Sequence, residues 1–100
     1  MKNVLFVALL LNVHVLGVTR HEQYALVQET FQKQEGVSQF VLSRAGRGFL
    51  SFRGELSQET ETFVESIRAA LGDHFQVENK TLEDGTVELN LLVQTAVEDQ

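Results

Sequence analysis

The chain has 100 residues, a formal net charge of −6 and neither cysteine nor proline. The lack of cysteine excludes disulfides, cysteine-ligated zinc, thiol catalysis and a lipid anchor on cysteine. An acidic domain is repelled by phosphate backbones and anionic headgroups, so nucleic acid is not an expected partner. A small secreted domain of an animal or plant is usually rich in disulfides, so the composition favours a bacterial protein.

Residues 1–17 have the pattern of a secretory signal peptide. Lys2 supplies a positive charge, residues 4–11 form an apolar run, and Gly17 offers a small residue at the cleavage position. Cleavage there would leave residues 18–100 as one domain, with a frayed tail from about residue 95. The predicted location is therefore the periplasm or the outside of a bacterial cell.

Two other interpretations of this segment stay open. A membrane anchor needs about twenty apolar residues to cross about 30 Å of hydrocarbon, and this stretch is shorter and contains Asn12 and His14. The stronger alternative is a buried first β-strand over residues 4–11, because a continuous Val/Leu/Phe run also fits a central strand. That alternative gives a cytoplasmic domain with a ferredoxin-like β-α-β-β-α-β-β order.

A helix and two strands are predicted next. Residues 19–34 show helical apolar spacing, with Thr19 and Glu22 in the form of a capping box and Gly36 just after the helix end. Two strands with alternating apolar residues follow, joined by a glycine-rich turn: residues 37–44 and 49–56.

The same order of helix, strand and strand then repeats. Ser57 is the predicted N-cap of a second helix, whose apolar stripe stops at Gly72. Alternating apolar residues predict a third strand over residues 75–78 and a fourth over residues 87–93.

The pattern of apolar residues also selects the turn between the last two strands. A two-residue turn would set Val77 opposite Leu92 and put the main apolar rows on opposite faces. A three-residue turn, with Gly85 in the left-handed conformation, sets Val77 opposite Leu91 and aligns these rows. The three-residue turn is therefore predicted.

The predicted fold is an α+β two-layer sandwich in αββαββ order, with two helices on one face of a four-stranded sheet. The inward row of each strand supplies the predicted core: Phe40, Leu42, Leu50, Phe52, Phe75, Val77, Leu89 and Leu91. The other face and the sheet edges are left free to meet a partner.

No catalytic or metal motif is found in the sequence. His14 would leave with the signal peptide, and His21 and His74 lack paired ligand spacing. Ser57 has no G-x-S-x-G context, and nothing in the sequence places a carboxylate in an environment suited to acid–base work. The sequence therefore predicts no enzyme, no metal ligand and no cofactor.

Three arginines form the candidate binding site. Arg44, Arg47 and Arg53 cluster around Gly46 and Gly48 in an otherwise acidic chain. A glycine-rich turn exposes N–H groups beside guanidinium groups, which suits an anion or an acidic protein partner. The alternative interpretation is a hairpin tip kept soluble by its arginines.

The rhythm V-x-x-F-x-L in residues 37–42 and G-x-L-x-F-x-G-x-L in residues 48–56 resembles small periplasmic helix-strand-strand modules. Two such modules are the amino-terminal domain of flagellar assembly protein T and the BON (bacterial OsmY and nodulation) domain. The resemblance covers roughly residues 20–93 and implies a non-catalytic adaptor in envelope assembly. A BON domain carries further glycines and usually a second copy, which this chain lacks, so no functional residue is transferred.

The leading functional hypothesis is an exported, non-catalytic protein-interaction module in the assembly of the bacterial envelope or an appendage. The alternative is a domain that binds a small ligand or lipid headgroup on the open sheet face with Arg53. No stable membrane span is expected in the mature chain. The partner, the pathway and the oligomeric state are left open.

Overall fold

The chain folds as two helices and one five-stranded mixed sheet in the computed structural model, which describes residues 9–94. The elements follow in this order: β1 (Leu9–Leu16), α1 (His21–Gln32), β2 (Val37–Gly46), β3 (Phe49–Leu56), α2 (Thr60–Leu71), β4 (Phe75–Thr81) and β5 (Val87–Val93). The predicted α+β class is confirmed. The predicted four-stranded sheet is wrong, because β1 adds a fifth strand.

β1 is the central strand of this sheet. The strand order is β2-β3-β1-β5-β4, and β1 runs antiparallel to β3 and parallel to β5. Leu11, Val13 and Val15 are fully buried, in alternation with residues that face away from the helices. This period of two is typical of a strand with one covered face and one open face.

The first strand bears directly on the predicted signal peptide at residues 1–17. Residues 1–8 lie outside the described residues, as does the tail predicted from residue 95, whereas residues 9–16 form the middle of the sheet. The element order is that of the alternative with a first strand, and the described part of that strand is Leu9–Leu16. The alternative placed the strand over residues 4–11, of which residues 4–8 lie outside the described residues. The signal peptide at residues 1–17 and the cytoplasmic alternative both stay predictions.

The first helix is capped differently from the prediction. Gln23 Oε1 accepts hydrogen bonds from the backbone N–H groups of Thr19, at 2.8 Å, and Arg20, at 3.1 Å. The predicted pairing of Thr19 with Glu22 is wrong, because the helix begins at His21 and the residue three positions after its N-cap is therefore Gln23.

The second helix also begins later than predicted. Its N-cap is Glu59, and the predicted N-cap Ser57 has another role. The Ser57 hydroxyl donates to the backbone oxygen of Gly36 at 3.2 Å, and the Ser57 N–H donates to the same oxygen at 2.7 Å. These bonds tie the loop before β2 to the loop after β3.

An aromatic stack joins α1 to the β2–β3 side of the sheet. The ring of Phe40 lies between those of Phe31 and Phe52, with centroids 4.9 Å from each. A Cβ at Gly54 would approach a ring atom of Phe40 to 3.2 Å, so glycine leaves the space that this ring needs. The stack therefore packs α1 against β2 and β3 through three aromatic rings.

Leu42 is the one predicted core residue that the structure leaves outside the core. Its side chain is 39 % exposed, whereas the other predicted core residues are buried. Leu42 pairs with Phe52 and so faces the helices, but β2 is an edge strand with irregular register on both sides of this position. A side chain on such an edge has neighbours on one side only.

The predicted register of the last hairpin is confirmed. Two pairs show it: Val77 with Leu91 and Phe75 with Val93. The Leu82 N–H donates to the Thr86 oxygen at 2.8 Å and closes a three-residue turn, in which Gly85 has a φ of 92°. Asp84 Oδ1 accepts a hydrogen bond from the Thr86 N–H at 2.9 Å inside this turn.

We expect Leu11→Ala to lower the free energy of unfolding of the full chain by about 2–5 kcal/mol, because a fully buried leucine leaves a cavity. Leu10→Ala is the matched control. The side chain of Leu10 is 54 % exposed, so its truncation should lower the free energy of unfolding by less than about 1 kcal/mol. Urea denaturation measures both changes. Equal losses would contradict the placement of β1.

A second prediction concerns Asp84. The hydrogen bond from the Thr86 backbone lowers the pKa of the Asp84 carboxyl below its ordinary value of 3.8. Because the pKa is lower in the folded state than in the unfolded state, ionised Asp84 stabilises the folded state at pH values above the ordinary pKa. This contribution is lost as the pH falls through the folded-state pKa. Asp84→Asn should therefore be less stable than the parent chain at neutral pH, with a deficit that shrinks below pH 3.8. Urea unfolding across this pH range measures the deficit, and a deficit independent of pH would contradict the interpretation.

Candidate functional site

The helices cover one face of the sheet, and we call the other the open face. Paired residues of neighbouring strands share a face, so the outward side chains form rows that cross the strands. The apolar row consists of Phe49, Leu16, Leu92 and Gln76. The histidine row consists of Arg44, Ser51, His14, Asn90 and Glu78. The Arg53 row consists of Val41, Arg53, Asn12, Glu88 and Lys80.

The open face exposes most of the large apolar side chains found at the surface of residues 9–94. Four of them lie on it: Leu10 at 54 %, Leu16 at 48 %, Val41 at 58 % and Leu92 at 47 % exposure. Leu16 and Leu92 are paired neighbours and are continuous with half-buried Phe49. A continuous apolar patch rimmed by polar residues is typical of a surface that binds another molecule.

A shallow hollow lies at one end of this patch. Its volume is about 120 Å³, and the residues that line it come from β1, β4 and β5: Leu16, Gln76, Glu78, Asn90, Leu91 and Leu92. Such a hollow accepts one side chain. It is too small for a drug-sized ligand, which needs about 300–1,000 Å³.

His14 lies at the centre of the open face between a hydroxyl and a carboxylate. Its Nδ1 atom is 3.0 Å from Ser51 Oγ, and its Nε2 atom is 4.0 Å from Glu88 Oε2. The side chains of His14 and Glu88 are 39 % and 25 % exposed. The three residues come from the three interior strands, with Glu88 diagonal to His14 because it pairs with Asn12.

This cluster contains the residue types of a serine hydrolase: a hydroxyl, an imidazole and a carboxylate. Acyl transfer needs preorganised donors aimed at the developing oxyanion. β1, β3 and β5 are interior strands, so their backbone groups pair with neighbouring strands on both sides. The cluster can donate and accept hydrogen bonds across an interface.

The structure brings two of the three predicted arginines together. Arg44 pairs with Ser51, and Arg53 pairs with Asn12 on the next strand, so both lie on the open face. Arg47 is exposed in the turn between β2 and β3 and stands apart from them. None of the three forms an ion pair with a carboxylate of residues 9–94.

The charges of the open face are divided between its two sides. Arg44 and Arg53 lie on β2 and β3, whereas Glu78 and Glu88 lie on β4 and β5. Two residues are exceptions to this division: Lys80 on β4, and Glu55 on β3, which pairs with Leu10. The face therefore has a basic side and an acidic side with β1 between them.

The sequence interpretation missed the part of this face that β1 supplies. Leu10, Asn12, His14 and Leu16 were assigned to a segment that would be removed. Asn12 and His14, two polar residues at alternate positions among Leu and Val, are the strand signal that could have found them. A signal peptide shares the apolar content but has no need of that period.

Other features of the described chain hold no comparable arrangement. A wide groove of about 510 Å³ lies between the start of α1, the start of β4 and the end of β5, with Arg20, Gln23, His74 and Gln94 in its walls. Residues 9–94 contain no group of three or more His, Asp or Glu side chains placed to hold a metal ion. No helix in this part of the chain has the length and apolar content to cross a membrane.

Comparison of the chain with protein-family models, curated proteins and solved structures gave no match. The resemblance to flagellar assembly protein T and to the BON domain stays a prediction.

Proposed function

We propose that the chain is a non-catalytic protein-interaction module and that its binding surface is the open face. The observation that carries the proposal is the group of four exposed apolar side chains around two polar rows on the uncovered side of the sheet. Protein interfaces combine apolar side chains with polar residues in this way, and arginine is enriched among those residues. The strands also hold these side chains rigidly, which lowers the entropy lost on binding.

The chemistry of the face favours a protein over a lipid headgroup or a small anion. A phosphate site concentrates positive charge, whereas Glu78 and Glu88 lie on the same face as Arg44 and Arg53. The hollow beside them is small. A flat surface with both signs of charge is matched by a protein surface that carries the opposite arrangement.

We further propose that the working protein retains β1. Removal of residues 1–17 would take away the strand that separates β3 from β5, together with three fully buried side chains. The exposed ladders of β3 and β5 would then need new partners. The periplasmic location and a role in envelope or appendage assembly depend on cleavage, so they form the other outcome of the test that follows.

Mass spectrometry of the protein purified from its native host tests the retention of β1. The expected result is a chain that contains residues 9–16, because these residues form the centre of the sheet. A chain that begins at or near Val18 would instead support export and overturn retention.

A photoreactive amino acid placed at position 92 tests the binding surface. We expect illumination in cells to give a defined protein adduct at this position, because Leu92 is exposed on the open face. The control carries the same group at Ala69, which is exposed on α2 and faces away from the sheet. Equal labelling at the two positions, or none at position 92, would contradict the proposal.

A further inference from the structure

We propose that the open face binds the open face of a second copy of this chain, about a two-fold axis parallel to β1. This inference rests on the proposed interaction function and names the partner. It is carried by the division of charge across the face and by the position of the apolar row.

The two-fold axis follows from the arrangement of the strands. Rotation about an axis parallel to β1 lays β1 on β1 of the second copy, β3 on β5 and β2 on β4, because β1 is central. Each row then meets the same row of the other copy. A two-fold axis across the strands would instead lay β3 on β3 and β5 on β5, so the side with Arg44 and Arg53 would meet its own copy, which like-charge repulsion disfavours.

The chosen axis brings opposite charges together. Arg53 meets Glu88 of the second copy, and Arg44 meets Glu78 of the second copy, and symmetry repeats each pair. Aligned sheets cross at about 30° and lie about 10 Å apart, so strands near the axis stay best in register. The pair between Arg53 and Glu88 lies on β3 and β5, next to the axis, and is therefore the stronger pair.

In the same arrangement the apolar row of one copy packs against the apolar row of the other. Leu16 lies on the central strand and contacts its own copy across the axis. Phe49 of one copy lies above Leu92 of the other and beside the hollow of about 120 Å³ next to Leu92. A half-buried aromatic ring opposite a hollow lined by leucine is a complementary contact on each side of the axis.

The size of the face predicts a weak dimer. Five strands about 4.8 Å apart and about seven residues long, at about 3.3 Å per residue, give a flat footprint of roughly 500 Å² per copy. A standard stable interface buries about 800 Å² per partner. We therefore expect association at micromolar to millimolar concentration of the chain, within the range of sedimentation equilibrium.

A charge exchange between two variants tests the proposed pairing. Arg53→Glu alone faces Glu88 of its copy, and Glu88→Arg alone faces Arg53 of its copy, so each variant should dimerise about tenfold more weakly than the parent chain or worse. An equal mixture of the two variants should recover the association, because both pairs are then opposite in sign. Thermal unfolding of each variant checks that the fold is kept.

A leucine comparison tests the apolar contact independently of charge. Leu92→Gln should weaken the dimer, since Leu92 lies in the proposed interface. Leu42→Gln is the matched control, because Leu42 is also partly exposed but pairs with Phe52 on the helix side of the sheet. The control should associate as the parent chain does.

The outcomes separate this inference from the proposed function. Recovery in the mixture, together with a loss specific to Leu92→Gln, supports face-to-face pairing. A dimer unaffected by these changes, such as one formed through the free edge of β4, would overturn it. A chain that stays monomeric up to 1 mM (roughly the weak limit of specific pairing) would also overturn it; a protein adduct at position 92 would then leave the interaction function standing.

Discussion

Burial of β1 between β3 and β5 is the constraint on which the rest of the structure depends. Without β1 the two helix-strand-strand units would have no strand pairing between them, because β3 pairs only with β2 and β1, and β5 only with β4 and β1. Leu11, Val13 and Val15 fill the middle of the core beneath both helices. One strand therefore joins the two halves by backbone hydrogen bonds and by apolar packing at once.

The two halves use this strand in different ways. On one side β1, α1 and β2 form a split βαβ unit, with β2 parallel to β1 and β3 between them. The stack of Phe31, Phe40 and Phe52 closes that side against α1. On the other side, β5 of the β4–β5 hairpin pairs with β1 in parallel. The turn of this hairpin has Gly85 in the left-handed conformation. The covered face is consequently complete, while the open face receives no element of residues 9–94.

The open face carries an unusual mixture of apolar and polar side chains for a surface exposed to water. A face left to water is expected to be polar, yet Leu16 and Leu92 stand beside Ser51, His14 and Glu88. Exposed leucines cost little in the monomer, since much of any protein surface is apolar, but they gain free energy when a partner removes them from water. In the proposed interaction the polar rows add specificity, because their charges accept only a complementary surface. The same five strands thus provide rigidity and selectivity.

Local pattern determined much of this protein from the sequence alone: the bounds of β3, both helices to within a few residues, and the turn that sets Val77 opposite Leu91. These features depend on periodicity and turn chemistry, which neighbouring residues carry. Tertiary structure alone placed residues 9–16 at the centre of the sheet, because the apolar content of the run fits both a membrane-targeting signal and a central strand. It also placed His14 between Ser51 and Glu88, since contacts between strands far apart in the chain depend on strand order, and strand order is fixed only when the whole core packs.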